Sequence, residues 1–290
     1  MLTLLIGTDW TANRDAVLQM IAEDVQARKG GRILIVPELI SHDMERRLCE
    51  AAGDTASRFA QVLTFTRMAR RVSDTLGLSS FECLDNGGRM VAMAATVRHL
   101  HSKLKAYGSV GTRPEFLTGL VDAVDEFKRC CISADDLKAA SERTEGALAQ
   151  KLEELSLILE AYDSFCVRGK RDPRDQMTWL LEQMEDSTFA EDHTFYIDGF
   201  PDFTRQHGAI IEHLIRCSER VVISLNCDRV GSKALAYEKA GKTASEMIGF
   251  AKKGDIPYEI QVVEPYKTVL DPVRQSLFQG NIDLRPGLDA

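Results

Sequence analysis

The 290-residue chain has no run of 18 or more apolar residues, so no helix long and apolar enough to cross a membrane is expected. No basic stretch precedes an apolar one at the N-terminus, and Met1 leads directly into strand-like residues; a secretory leader is not expected. C-x-x-C spacing is also missing. The seven cysteines, Cys49, Cys83, Cys130, Cys131, Cys166, Cys217 and Cys227, are odd in number and scattered. That pattern argues against a zinc or iron–sulfur site within the segment and suggests small buried hydrophobes in a reducing cytosol. Neither do the histidines make a metal pair: His99 and His101 are two apart and would point to different faces of a helix.

A net positive charge is lacking as well. At −8, the chain is not a generally basic nucleic-acid binder. Acids are absent locally, however. Between Asp54 and Asp74 there are only Arg58, Arg67, Arg70 and Arg71, and between Asp85 and Glu115 only Arg89, Arg98, Lys103, Lys105 and Arg113. Two acid-free basic tracts imply a local electropositive surface, unless acidic helices from 120–190 fold over and neutralise them. With 44% hydrophobic and 28% charged residues, the composition is that of a globular chain able to bury one or two cores.

The most informative segment present is a phosphate-loop frame with altered residues. The apolar run 2–6 reads as a strand. Gly7-Thr8-Asp9-Trp10-Thr11-Ala12-Asn13-Arg14 follows and leads into a helical stripe of Val17, Leu18, Ile21 and Val25. The phosphate-binding pattern at such a turn is G-x-x-x-x-G-K-[ST]. Only Gly7 is kept; Ala12 replaces the second glycine, Asn13 the lysine and Arg14 the Mg²⁺-binding hydroxyl. The loop works through close backbone approach, an ammonium on the phosphates and a hydroxyl on Mg²⁺, so each contact group is altered.

Alternating short apolar strands (2–6, 32–36, 61–65) and helical stripes (about 13–28, 42–52, 66–76) fill residues 1–85 and predict parallel pairing through crossovers. Residues 86–186 show helical periodicity only, clearest at Leu148, Leu152, Leu155, Leu159, Tyr162 and Phe165; Asp172 is placed to cap a helix carrying Trp179, Leu180 and Met184. Strands return at 194–198, 220–226 and 258–264, with helices from about 204 and over 242–253. The reading is a split α/β domain (1–85 and 187–268), a helical insertion (86–186), and a connector (269–290) with Pro272, Pro286 and Gly287 leading toward a further C-terminal part.

Tyr196-Ile197-Asp198-Gly199-Phe200 supplies the second signal: an apolar strand ending in aspartate, the form taken by the Mg²⁺-binding strand of P-loop ATPases. A following glutamate would help activate water, and Gly199 stands there instead; a turn or cap role for Asp198 is the alternative. Taken with 7–14, both stations of a triphosphate site are recognisable by position, altered by residue, and expected at the ends of neighbouring strands.

Several segments resemble, in order, the N-terminal region of AddB, also called RexB, the second subunit of the bacterial ATP-dependent helicase–nuclease. They are Ile33-Leu34-Ile35-Val36-Pro37-Glu38, Val62-Leu63-Thr64-Phe65-Thr66-Arg67-Met68-Ala69-Arg70-Arg71-Val72, Glu126-Phe127-Lys128-Arg129, Lys151-Leu152-Glu153-Glu154-Leu155 and Ile197-Asp198-Gly199-Phe200-Pro201-Asp202-Phe203-Thr204. The resemblance implies a P-loop NTPase-like, superfamily-1 helicase-like parallel sheet with a large helical insertion. It implies that nuclease and iron–sulfur parts come only in further C-terminal sequence. It also implies a cytoplasmic role in double-strand-break repair beside an AddA-type motor subunit, scanning or guiding single-stranded DNA. Carried over by position, Ser41, Phe65, Arg67, Arg70, Phe200 and Phe203 are the DNA-contacting candidates. Gly7, Asn13, Arg14 and Asp198 form a degenerate nucleotide site, which calls ATP and Mg²⁺ binding into question. Leu39 stands where the family often has glutamine. An active P-loop ATPase or a scaffold that binds no DNA are the alternative readings.

Overall fold

In the computed structural model, residues 1–78, 82–107, 113–167 and 170–267 are described. The expected connector 269–290 lies outside them. The chain divides into two compact units: 1–68, 187–203 and 211–290 form the first, and 69–186 with 204–210 form the second.

The first unit is built on β1 (Leu2–Gly7), α1 (Trp10–Gln26), β2 (Arg32–Ile35), α2 (Ser41–Ala52) and β3 (Ala60–Leu63), which leads into α3 (Phe65–Leu76). The second unit contains α4 (Asn86–His99), α5 (Pro114–Arg129), α6 (Ala134–Glu142), α7 (Gly146–Val167) and α8 (Gln176–Glu185). The chain then makes β4 (Thr194–Ile197), α9 (Arg205–Cys217), β5 (Val221–Asn226), α10 (Glu238–Lys253) and β6 (Tyr258–Val262). All six strands join one parallel sheet in the order β3-β2-β4-β5-β1-β6. Leu4 registers with Ile223 on one side and Ile260 on the other, and Leu34 with Val62 and Tyr196.

The alternation read from the sequence is therefore a parallel α/β sheet. Central strands need apolar residues toward both faces, and every residue of β1 and β4 is buried. The core joins α1 and α2 to the sheet through Leu5, Val17, Ile21, Leu34, Met44, Val62, Tyr196 and Val222. At the sheet edge, β6 leaves Ile260 and Val262 exposed.

The second unit is helical throughout α4–α8. Asp85 caps α4, Pro114 starts α5, and Ser133 with Asp136 forms a reciprocal capping box on α6. Its core also holds charge. Arg89 pairs with Asp125 and, at 3.0 Å, with Asp172, whose carboxylate also accepts the Tyr162 hydroxyl at 2.6 Å. Asp172 caps the short turn Pro173–Asp175 ahead of α8 rather than α8 itself. The α7 stripe is only partly internal. Leu159 and Tyr162 are buried, but Leu148 and Phe165 at its two ends are exposed. Glu154 and Ser156 turn inward instead, because the Glu154 carboxylate accepts the backbone N–H groups of Lys105, Ala106 and Tyr107.

The cysteines depart from expectation. Cys166 and Cys227 are buried, whereas Cys49, Cys130 and Cys131 are exposed.

Candidate functional site

Parallel sheets gather their ligand-contacting loops at the carboxyl ends of the strands, where the strand order reverses. Here β2 leads on to β3 on one side and β4 to β5 on the other, so one reversal falls between β2 and β4; a second falls between β5, which leads on to β6, and β1, which leads back to β2. Pro37–Ile40 and Asp198–Phe200 line the first. Gly199 adopts φ +84°, and a Cβ there would lie 2.8 Å from Ile40 Cδ1 and 3.2 Å from Pro37 Cδ, so only glycine fits the turn.

The β1–α1 turn is short. Helix α1 begins at Trp10, three residues before the expected start at 13, because Asp9 caps it: its Oδ1 accepts N–H from Thr11 at 2.9 Å and Ala12 at 3.4 Å. Asn13 N–H bonds the Asp9 carbonyl. The Asn13 side-chain amide donates to the Gly7 carbonyl at 3.1 Å and the Leu225 carbonyl at 3.2 Å, tying the ends of β1 and β5 together. A Cβ on Gly7 would overlap Asn13 Oδ1 and lie 2.8 Å from the Val263 carbonyl. The turn therefore carries its own anion at the helix start, with its first amide donors already engaged.

It also carries its own cation. Arg14 Nε lies 2.9 Å from Asp198 Oδ2, with side-chain exposures of only 9% and 4%. The guanidinium carbon sits 4.9 Å from the Trp10 ring centroid. The two stations are thus brought into contact, but not from neighbouring strands as expected: β5 lies between β1 and β4. The long, branched Arg14 side chain spans that gap, which Asn13 is too short to do.

The DNA-contacting candidates distribute along the same edge. Phe65 follows β3 and is buried, with its ring 5.6 Å from that of half-buried Phe200, which lies 5.3 Å from Phe203. Arg67, also after β3, pairs with Glu45 at 2.7 Å. Ser41 opens α2 and donates to the Glu38 carbonyl at 3.0 Å. These residues follow three adjacent strands, β3, β2 and β4. Arg70 lies farther along α3, in the second unit, and is exposed.

Of the basic tracts, Arg89 is buried and neutralised by Asp125 and Asp172, as acidic helices folding over would produce. Its guanidinium is desolvated, yet those carboxylates raise its pKa above the usual arginine value. Arg58, Arg70, Arg71, Arg98, Lys103, Lys105 and Arg113 stay exposed and form no ion pair among the described residues.

The exposure of two residues at this edge was not legible in the sequence. Leu39 is 99% exposed and Trp10 is 55% exposed. A polar-to-apolar period cannot reveal them, since both sit where regular elements begin or end. Among the described residues no group of histidine, cysteine, aspartate and glutamate could hold a metal ion, and no helix is long and apolar enough to cross a membrane.

Comparison with known proteins adds a family. The model for the family described as "ADDB, N-terminal" matches residues 4–274. The chain is 27% identical over 250 residues to the B-type subunit of the ATP-dependent helicase/deoxyribonuclease of Clostridium tetani (strain Massachusetts / E88), covering 83% of this chain and 21% of that one. It is 29% identical over 233 residues to the protein of the same name from Thermoanaerobacter sp. (strain X514), covering 78% and 20%. It is 28% identical over 239 residues to that of Geobacillus kaustophilus (strain HTA426), covering 79% and 20%. The chain spans about one fifth of the length of these relatives.

Proposed function

We propose a strand-guiding role without ATP chemistry for this chain, which belongs to the ADDB N-terminal family. In this reading it is the N-terminal, helicase-like module of an AddB-type subunit and derives from a P-loop NTPase-like sheet. It works in the cytoplasm in double-strand-break repair, beside an AddA-type motor and nuclease subunit. Any iron–sulfur or nuclease chemistry belongs to sequence beyond it.

The observation that carries the reading is the Arg14–Asp198 pair at 2.9 Å. A triphosphate site needs free amides and an ammonium for phosphate, and a carboxylate available to Mg²⁺. Here Asp9 occupies the helix start, where it would repel phosphate, and Arg14 occupies the carboxylate. Losing such groups costs several kcal/mol of transition-state stabilisation, on the order of a thousandfold in rate or more. This argues against the active-ATPase alternative.

For DNA, support comes from the placement of Ser41, Phe65, Arg67, Phe200 and Phe203 after three adjacent strands, at the edge where α/β sheets bind ligands. An arginine can hold a phosphate or a guanine edge, and aromatics can stack bases. The scaffold reading draws on one observation: Arg67 already has a carboxylate partner in Glu45.

The test titrates the full chain with labelled oligonucleotide at several salt concentrations and measures ATP hydrolysis in parallel. We expect binding that weakens as salt rises, loss of affinity in Arg67→Ala, and no hydrolysis above background. Absence of binding both to the chain and to its complex with a partner subunit would leave the scaffold reading. Hydrolysis abolished by Asp198→Ala would restore the ATPase.

A further inference from the structure

The chain has two tryptophans. Trp179 is 8% exposed, inside the helical unit, whereas Trp10 keeps 55% of its surface in solvent. Indole is the largest apolar group available, and more than half of its surface forgoes burial. The position is not loosely held. The Arg14 guanidinium lies under the ring at 4.9 Å from its centroid and is itself fixed by Asp198 at 2.9 Å. One side of the indole is thus held from beneath by a cation that the protein has immobilised, while more than half its surface stays open.

The surroundings favour a planar, unpaired base on that open side. Strand β5 lies between β1 and β4, so the loop after it runs beside the β1–α1 turn. That loop presents Arg229 and Lys233, both exposed and without an ion pair among the described residues. On the other side, beyond β1, Tyr266 is 51% exposed. Of the acids nearby, Asp9 Oδ2 accepts the Tyr266 N–H at 3.2 Å and Asp15 Oδ2 accepts the Tyr266 hydroxyl at 2.9 Å, while Asp228 and Glu264 are exposed and form no ion pair among the described residues. The loop after β5, residues 227–237, carries two cations, Arg229 and Lys233, against one acid, Asp228.

We infer that Trp10 is a nucleobase-stacking platform for single-stranded nucleic acid, with Arg229 and Lys233 holding the adjoining phosphates. The inference rests on the strand-guiding reading and extends its path. From the end of β4, with Phe200, a strand crosses β5 to reach β1, two inter-strand gaps or about 10 Å at ~4.8 Å each. That distance is within reach of neighbouring nucleotides. Stacking needs only a π-face, so the platform is indifferent to sequence. A turn that no longer serves nucleotide thereby serves the strand.

The full 290-residue chain is titrated with two probes. Unlabelled dT12 is followed by tryptophan emission, and fluorescein-labelled dT12 by anisotropy. The expected result is quenching of Trp10 emission on binding, no quenching in Trp10→Phe, and affinity lower by roughly 5- to 100-fold in Trp10→Ala. Trp10→Phe keeps a ring on Arg14 and should bind within a fewfold of the parent, which separates stacking from a folding defect. Labelled dT12 that binds without quenching, and with equal affinity for parent and Trp10→Ala, overturns the platform and leaves strand guiding intact. No anisotropy change at all removes the strand-guiding reading, and the platform with it. Emission that ignores dT12 and responds only to an added partner protein assigns Trp10 to a protein contact and overturns the inference.

Discussion

Removing one half of the Arg14–Asp198 pair should unfold the sheet unit far more readily than removing both. In Asp198→Ala the guanidinium, 9% exposed, stays in place with its counter-charge gone. An uncompensated buried charge costs about 3–5 kcal/mol. The Trp10 ring at 4.9 Å faces the guanidinium in parent and variant alike and so offsets none of it. A net loss of about 3–5 kcal/mol is therefore expected, a large share of a typical total of about 5–15 kcal/mol. Replacing both charges, Arg14→Met with Asp198→Ala, removes the desolvation burden as well and should fall within about 1 kcal/mol of the parent. The coupling energy from the four-member cycle should then exceed about 1 kcal/mol. The assay is urea denaturation in a Trp179→Phe background, where the remaining indole, Trp10, lies against the pair and reports the sheet unit alone. Equal m values across the series would show that stability changed rather than the extent of unfolding. A loss below about 0.5 kcal/mol in Asp198→Ala, the size of an ordinary surface change, would refute the reasoning. So would a double variant no more stable than Asp198→Ala.

Three further outcomes follow from named contacts. Gly199→Ala forces a side chain into φ +84° and sets its Cβ 2.8 Å from Ile40 Cδ1, so a loss of about 1–3 kcal/mol is expected in the same denaturation assay. Burial alone would raise the Glu154 pKa, but three backbone N–H bonds from Ala106, Tyr107 and Lys105 outweigh it and hold the carboxyl below its usual 4.5. A depressed carboxylate stabilises the fold above its unfolded pKa and loses that contribution as pH falls through the folded value. The Tm of the helical unit, followed by Trp179 emission, should therefore drop below about pH 4.5, with a flatter profile in Glu154→Gln. Arg89→Met leaves Asp172, fully buried, without its cation, and should destabilise the helical unit by about 3–5 kcal/mol, read by the same emission.

The parallel sheet was legible because its strands follow simple physics. Runs such as Leu2–Ile6 and Val221–Leu225 are apolar at every position, or nearly so, which only a strand covered on both faces requires, and the helical stripes between them fix the crossover connections. Gly199 and the turn at Gly7 were legible as strand ends for the same reason. The meeting of the two stations was legible too, from the phosphate-loop frame and the strand ending in Asp198; what the sequence hid was its form, since no local pattern says that Arg14 and Asp198, 184 residues apart, close on each other as an ion pair. The insertion of β5 between β1 and β4 is equally silent in the chain, since strand order depends on which crossover packs where. Helix α1 started early because Asp9 outcompeted the loop for the first amides, a capping choice that the phosphate-loop frame disguised. The α7 stripe misled for a different reason. Leu148 and Phe165 keep the period of their buried neighbours, but periodicity reports a face and not how far along that face a neighbour extends.

The altered residues at 7–14 behave as one set rather than as independent losses. A site that merely decayed would leave unpaired donors and an isolated carboxylate, each buried at a cost of about 1–3 kcal/mol. Instead, Asp9 satisfies two of the α1 amides, Asn13 bridges the ends of β1 and β5 through its amide N–H groups although its Oδ1 stays buried without a partner, and Arg14 reaches across to β4. The three residues stitch β1, β5 and β4 together at their carboxyl ends without any ligand. A nucleotide-driven unit needs that edge to change with bound phosphate; a guide for a passing strand needs it to stay fixed. The internal charges fit the fixed edge that the proposed strand-guiding reading calls for. A triple variant carrying Asp9→Gly, Asn13→Lys and Arg14→Thr, with Ala12 kept in place of the second glycine, should therefore lose stability before it gains affinity for ATP. Its urea midpoint should fall because Asp198 and the α1 amides are left open, and ATP-γ-S at millimolar concentration should restore part of it through binding to the folded state. If the triple variant is as stable as the parent without nucleotide, the stitching carries no structural weight and the set is only decay.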